Sequence, residues 1–442
     1  MVKKSFSVLM TTALVVLLAA CSSSNGSESK ADYSASKAGT GTATTKPVEI
    51  TFWDMVWGPT GYADTGKKLV EKFNSENPNI KVTYQSTPWS NWYQTFANAI
   101  AVGSPPDIST GAGYQAFQFM DSNEILPIDD VIEDLKKAGK LDDYAPGSVE
   151  ALKYNGHYVA LPWMIDIRVP WYRKDIFEKF GITNLPKTWD ELRVALKKVS
   201  GNGNYGLSLP GNDSTGIQGM FTLMLNNGGS LFTADKKVDM MNDRNVEANQ
   251  FISDLVKDGS INPAMVGMKE ADAIKEFGTG HAAVYIATSG FSDNFPDLKD
   301  ELGVLEPLAG PHGDKQTLGW INNIMIYKQS KHPNEAKIFL KWWSENNKTL
   351  WTEGNAGGFP AKTSSTKDPY WNNNANLKMI TEKYLPIMKI TGSKYTSGFS
   401  ELNQIEGDGS MSQLVQKIIS GRPIKESMQE TTTKIKEIMK EK

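Results

Sequence analysis

The chain of 442 residues holds one cysteine and four histidines, and its charge is nearly balanced, with 47 basic and 50 acidic side chains. A lone cysteine closes no intramolecular disulfide and founds no Cys-rich zinc site, which excludes a small disulfide-stapled scaffold. His157, His281, His312 and His332 are scattered without metal-ligand spacing, so neither a metal nor a cofactor is expected. A formal charge of −3 leaves no basic excess to neutralise phosphates, which argues against nucleic acid as a partner. Beyond the N-terminal segment no uninterrupted run of about 18 apolar residues occurs, so no second membrane span is expected. There is no P-loop lysine, no H-E-x-x-H and no G-x-S-x-G. At roughly 100–200 residues per domain, the length allows two or three folding units with sizeable cores.

What is present begins with an export pattern. Lys3 and Lys4 precede an apolar stretch at 6–18 that is too short for a comfortable mature span, and Leu18-Ala19-Ala20-Cys21 follows. Those last four residues resemble a bacterial lipobox, in which the cysteine is lipidated and becomes the mature N-terminus. The expected cleavage removes residues 1–20, and with Lys3 and Lys4 gone the formal charge becomes −5. Residues 21–46 are dominated by Ser, Thr, Gly, Ala and Lys. Such a segment cannot offset its conformational entropy by packing, and it reads as a flexible tether behind the lipid-anchored Cys21.

From residue 48 onward the hydrophobic pattern alternates between strand and helix periods. Residues 48–53 and 80–84 read as strands, and a helix between them carries Leu69, Val70 and Phe73 on one face before Asn77-Pro78 stops it. A second helix is expected at 89–102 and a short strand at 107–109. Asn155-Gly156 between two short β-rich runs signals a hairpin. Thr188-Trp189-Asp190-Glu191 is a capping box that opens a helix to residue 199. Later helices are expected at 218–226, 246–257, 270–277, 334–343, 410–419 and 424–439, with strands at 168–172, 282–286, 303–306 and 321–327. This alternation indicates an α/β fold with mixed sheets flanked by helices, and ligands of such sheets bind beyond the C-terminal strand ends.

Two motifs are weighed and set aside. Residues 201–206 spell G-x-G-x-x-G, but they follow a helix and lead into a strand, the reverse of the dinucleotide-binding context, so they read as a turn. Asp235, Asp239 and Asp243 are spaced like calcium ligands, but the glycine and terminal glutamate of that loop are missing. The aromatic residues say more. Trp53, Trp57, Trp89, Trp92 and Tyr93 cluster at strand ends and helix starts near Asp54. Trp163, Asp166, Arg168 and Trp171 form a second cluster, and Gly319-Trp320 a third. An indole face stacks on the C–H face of a pyranose, while carboxylates and arginine take its hydroxyls. Against this, many tryptophans serve only the core, Trp342 and Trp343 in their amphipathic helix above all.

The order of these segments resembles the extracellular solute-binding proteins of bacterial ABC sugar importers, the group of the maltose-binding proteins. The resemblance runs from residue 48 to the C-terminus. It is carried by Phe52-Trp53-Asp54 at the end of a strand, by Gly103-Ser104-Pro105-Pro106-Asp107-Ile108 and by Tyr154-Asn155-Gly156-His157-Tyr158. The segments at 172–182, 187–192, 280–286 and 358–362 follow in the same order. It implies a two-lobed periplasmic-binding-protein-like fold (type II), with lobe one at 47–160 plus 318–365 and lobe two at 161–317 plus 366–442, closing over a sugar at a hinge. It implies a monomeric, non-enzymatic receptor that hands a carbohydrate to the transmembrane subunits of an ABC permease. The lipobox fits a Gram-positive member held on the extracellular face of the cell membrane. The expected ligand-binding residues are Trp53, Asp54, Trp57, Trp89, Tyr93, Tyr114, Asp166, Arg168, Phe291, Trp320 and Phe359. Gly111 stands where the maltose binder has an aromatic residue, which argues against maltodextrin. The alternative from another class is a membrane-anchored glycoside hydrolase, with Asp54 and Asp166 as its two carboxylates. A third reading is a peptide-binding or adhesive surface protein.

Overall fold

The computed structural model describes residues 46–441. The signal segment, Cys21 and all of the tether except its last residue lie outside the described residues. The strands in chain order are β1 (Val48–Met55), β2 (Ile80–Thr87), β3 (Ile108–Gly111), β4 (Lys153–Tyr154), β5 (His157–Tyr158), β6 (Leu161–Ile167) and β7 (Val169–Arg173). They continue with β8 (Tyr205–Ser208), β9 (Ala282–Ala287), β10 (Leu302–Val304), β11 (Thr317–Ile326), β12 (Phe359–Pro360) and β13 (Met388–Lys389). No helix among the described residues is long and apolar enough to cross a membrane.

A seven-stranded mixed sheet runs in the order β12-β6-β11-β3-β1-β2, with β13 paired to the start of β11. β1 pairs in parallel with β2 and β3, whereas β11 joins β3 and β6 in antiparallel fashion. The period of two in β1 explains its place in the core. Phe52 points to one face and meets Phe339 and Trp343 of the helix Pro333–Asn346 at 5.1 and 5.9 Å. Trp53 points to the other and packs on Phe96 of the helix Trp92–Ala101 at 5.6 Å. The hairpin turn is as expected, with Asn155 and Gly156 both at positive φ, 50° and 87°.

A second, four-stranded sheet runs β10-β7-β9-β8. β9 is buried at every position, as a strand must be with neighbours on both sides and helices on its faces. The cap of the helix Trp189–Val199 departs slightly from a reciprocal box. Thr188 Oγ1 accepts from the Glu191 N–H (3.2 Å), but the Glu191 carboxylate takes the N–H of Lys187 rather than that of Thr188.

The chain passes from the large sheet to the small one at Arg168 and returns between Val304 and Thr317. The two crossings are bonded to each other: the Arg168 N–H donates to the Leu318 carbonyl (2.9 Å), and the Thr317 hydroxyl donates to the Arg168 carbonyl (2.5 Å). β6 lies wholly in the large sheet, although lobe two was expected to begin at residue 161. The large sheet therefore extends through Ile167. The C-terminal helices Ser410–Ile419 and Ile424–Met439 pack on Ser214–Asn226 and Asp243–Lys257, beside the small sheet.

Candidate functional site

The loops at the ends of both sheets enclose one cavity of about 260 Å³, close to the lower end of small-molecule sites, which span roughly 300–1,000 Å³. From the large sheet come residues 56–59 after β1, Ala112 and Gly113 after β3, and Trp89 and Trp92 at the start of a helix. These are C-terminal strand ends, where the topology leaves a crevice. β6 adds Met164 and Asp166, and β11 adds Trp320 and Asn322.

The first wall is aromatic and fixed from behind. Trp57 meets Trp89 edge to face at 4.7 Å and Trp163 at 5.2 Å, and Trp92 follows Trp89 at 6.0 Å. Trp89 Nε1 donates to the Val56 carbonyl (2.7 Å). Trp57 Nε1 and the Met55 N–H both donate to Thr110 Oγ1, at 3.1 and 2.9 Å, and that hydroxyl donates to Asp54 Oδ1 (2.8 Å). The Tyr62 and Tyr84 hydroxyls donate to Asp54 Oδ2, at 3.1 and 3.3 Å. Burial pushes the Asp54 carboxyl up to about 7, and the hydrogen bonds from Thr110, Tyr62 and Tyr84 only partly oppose it. Asp54 therefore orients Trp57 through Thr110 from beneath the cavity.

At the crossing, charge gathers around one guanidinium. Arg168 Nη1 pairs with Asp166 Oδ1 at 2.6 Å, its Nε donates to Gln218 Oε1 at 2.8 Å, and its plane lies 4.9 Å from the Trp320 ring. Trp320 Nε1 donates to Glu406 Oε1 (3.0 Å), which also accepts from the Thr391 hydroxyl. The third contribution comes from the small-sheet side. Ser214, Thr215, Gln218 and Phe221 belong to the helix Ser214–Asn226, and Glu270 opens the helix Glu270–Gly278. Phe291 is buried against Tyr285, Phe277 and Phe295, with ring separations of 5.1 to 5.3 Å. Beside it, the Gly290 N–H (2.9 Å) and the Ser289 hydroxyl (3.0 Å) donate to the Gly357 carbonyl, whose own N–H donates to the Trp57 carbonyl (2.7 Å).

Of the expected residues, Trp57, Trp89, Asp166, Arg168, Phe291 and Trp320 converge on this cavity. The other five lie elsewhere. Trp53 packs on Phe96, and Asp54 is fully buried below the wall. The Tyr93 hydroxyl accepts from Gln118 (3.0 Å), and the buried Tyr114 hydroxyl accepts from the Thr391 N–H (3.0 Å). Phe359 is buried beside β6. Gly111 also stays outside the lining, since a Cβ there would meet Met325 Cε at 2.3 Å. Sequence reasoning omitted Trp92, Gln218, Glu270, Asn322 and Glu406 from the site. Asn322 had a usable signal, two residues from Trp320 on one strand and hence on the same face. Glu270 and Glu406 had none, because distant helices bring them in. The hydrolase alternative needed Asp54 and Asp166 to face each other across a cleft, and only Asp166 reaches it.

The model of the family "bacterial extracellular solute-binding protein" matches residues 59–347. A sugar transporter from Arthrobacter chlorophenolicus A6, solved with bound laminaribiose, is 37% identical over 88% of this chain and 99% of its own, with a TM-score of 0.83. The arabinooligosaccharide-binding protein of Bacillus subtilis is 26% identical over 362 residues, 78% of each chain. The sugar-binding protein MalE of Xanthomonas citri shares the fold, with a TM-score of 0.70 at 21% identity, covering 89% of this chain and 98% of its own. With most of its folded body matched to one family model, the chain belongs to the bacterial extracellular solute-binding proteins, non-catalytic binding components of transporters.

Proposed function

We propose that the protein captures a short carbohydrate for an ABC importer and delivers it to the permease subunits. The observation that carries this reading is the meeting of four indoles, Trp57, Trp89, Trp92 and Trp320, with Asp166, Arg168, Glu270 and Asn322 in one cavity. Sugar rings offer C–H faces to indoles and hydroxyls to carboxylates, amides and guanidinium, and this lining answers both needs. The cavity size suits one or two sugar rings. Laminaribiose, bound by the Arthrobacter relative, is the first ligand to try.

The two halves act as lobes, one built on the large sheet and one on the small sheet with the C-terminal helices. The crossings at Arg168 and Thr317 serve as hinge strands. A ligand that touches both halves only when they meet favours the closed form by its differential affinity. Lipidation at Cys21, with residues 22–46 as tether, holds this monomeric receptor at the outer face of a Gram-positive cell membrane. Calorimetry with a panel of neutral disaccharides, alongside an assay for reducing ends, tests the reading. Saturable heat with no released monosaccharide is expected. Release of monosaccharide, or no heat with any sugar, rejects it.

A further inference from the structure

The cavity is acidic. Its titratable lining groups are Asp166, Arg168, Glu270 and Glu406, three carboxyls against one guanidinium. Arg168 is already committed to Asp166, Gln218 and the Trp320 ring. Its charge is thus already balanced by Asp166, so an anionic ligand would meet an ion pair rather than a free cation. Glu270 and Glu406 are left with no ion-pair partner among the described residues. Glu406 accepts from Trp320 and Thr391 on a single oxygen, Oε1. No donor among the described residues reaches the Glu270 carboxyl, while its backbone N–H is held by Asp213. Burial pushes both carboxyls up to about 7; Asp213 adds to this at Glu270, and Arg168 works against it at both. Asn322, also in the lining, is 3% exposed, and its Nδ2 has no partner among the described residues.

The lining charges that lack a counter-ion are therefore both carboxyls, Glu270 and Glu406, and Asn322 adds a neutral amide. Sugar hydroxyls can donate to carboxylates and accept from Asn322 at once. A ligand carboxylate or phosphate would instead enter a poorly solvated space beside uncompensated like charge, where repulsion far exceeds that in water. Resting on the carbohydrate reading above, we infer that the site accepts only sugars without an acidic group, and that Glu270 is the specificity-determining residue that excludes uronic acids and sugar phosphates.

The test is calorimetry at about pH 8.5, where Glu270 and Glu406 are ionised, with laminaribiose, cellobiose and maltose, each beside the analogue whose terminal C6 alcohol is oxidised to a carboxylate. Any neutral sugar that binds should exceed its uronate by about tenfold or more. In Glu270→Gln that ratio should fall several-fold, whichever way the separate affinities move. Glu270→Ala, which leaves no unmet polar group, repeats the measurement if the Gln variant does not fold. Equal affinity of wild type for a neutral sugar and its uronate overturns the inference and leaves the carbohydrate reading standing. An unchanged ratio in a folded Glu270 variant overturns the role given to that residue. No heat with any neutral sugar rejects the carbohydrate reading, and the inference with it.

Discussion

The two sides of the cavity are built by different means. The large-sheet side presents flat indoles on strand ends and holds them from behind, through Thr110 and the buried Asp54. The small-sheet side presents helix starts, with Ser214 and Thr215 opening one helix and Glu270 another, around the packed ring of Phe291. One side offers shape that changes little, and the other offers acceptors whose charge depends on their surroundings. Affinity should therefore depend most on the aromatic side, and discrimination between ligands on the acidic side.

The largest effect should follow from Trp320→Ala, which removes a stacking face together with the platform under Arg168 and the donor to Glu406. Its sugar affinity should fall by roughly 30-fold or more, the cost typical of a buried tryptophan anchor, read by calorimetry. Gly290→Val asks whether the two sides must touch. A Cβ at Gly290 would lie 3.0 Å from Gly357 Cα and 3.2 Å from the Ala356 carbonyl oxygen. Holding the loops apart should weaken binding about tenfold by disfavouring the closed form, with the melting temperature little changed. Thr110→Val keeps the shape but leaves Asp54, Trp57 and the Met55 N–H without their shared hydroxyl. Unfolding by urea should show a loss of about 1–3 kcal/mol, and sugar affinity should drop several-fold.

A smaller effect concerns pH. The Asp54 carboxyl binds its proton more tightly folded, at about 7, than unfolded, at the ordinary 3.8. Its contribution to stability is thus full below that ordinary value and is lost as pH rises through 7. The melting temperature of wild type should fall from pH 5 to pH 8. Asp54→Asn should flatten that slope in part, since Glu270 and Glu406 are raised in the same sense. The smallest effect is expected at Trp53. Because its ring packs on Phe96 away from the cavity, Trp53→Phe should leave sugar affinity within about twofold, although its place after Phe52 invited the opposite expectation.

The local signals were strong where one residue pattern decides one element. Alternation at 48–53, Asn155-Gly156 and the spacing of the last two helices were enough, and Ser410–Ile419 and Ile424–Met439 begin and end where the pattern said. β6 was hidden, since Leu161–Ile167 is apolar apart from Asp166 and without alternation, carries Pro162 and is buried almost throughout. The same limit applies to the site. Of the twelve tryptophans, Trp57, Trp89, Trp92 and Trp320 line the cavity, whereas Trp163, Trp171, Trp343 and Trp351 are core. Composition cannot separate these groups, because an indole that packs on a sugar and one that packs on a neighbour are the same residue type. β1 shows the cost: Phe52, Trp53 and Asp54 stood out together, and none of them reaches the cavity. What decides is register and crossover, which turn Asp54 inward toward Thr110 and bring Glu406 from a helix near the C-terminus.

The most direct measurement is a crystal structure of the protein with a bound neutral disaccharide. One sugar ring is expected to lie flat on an indole of the Trp57–Trp89 wall or on Trp320, with a hydroxyl of the same ligand hydrogen-bonded to the Glu270 carboxylate. A sugar held by one side alone, or seated outside this cavity, would contradict that arrangement.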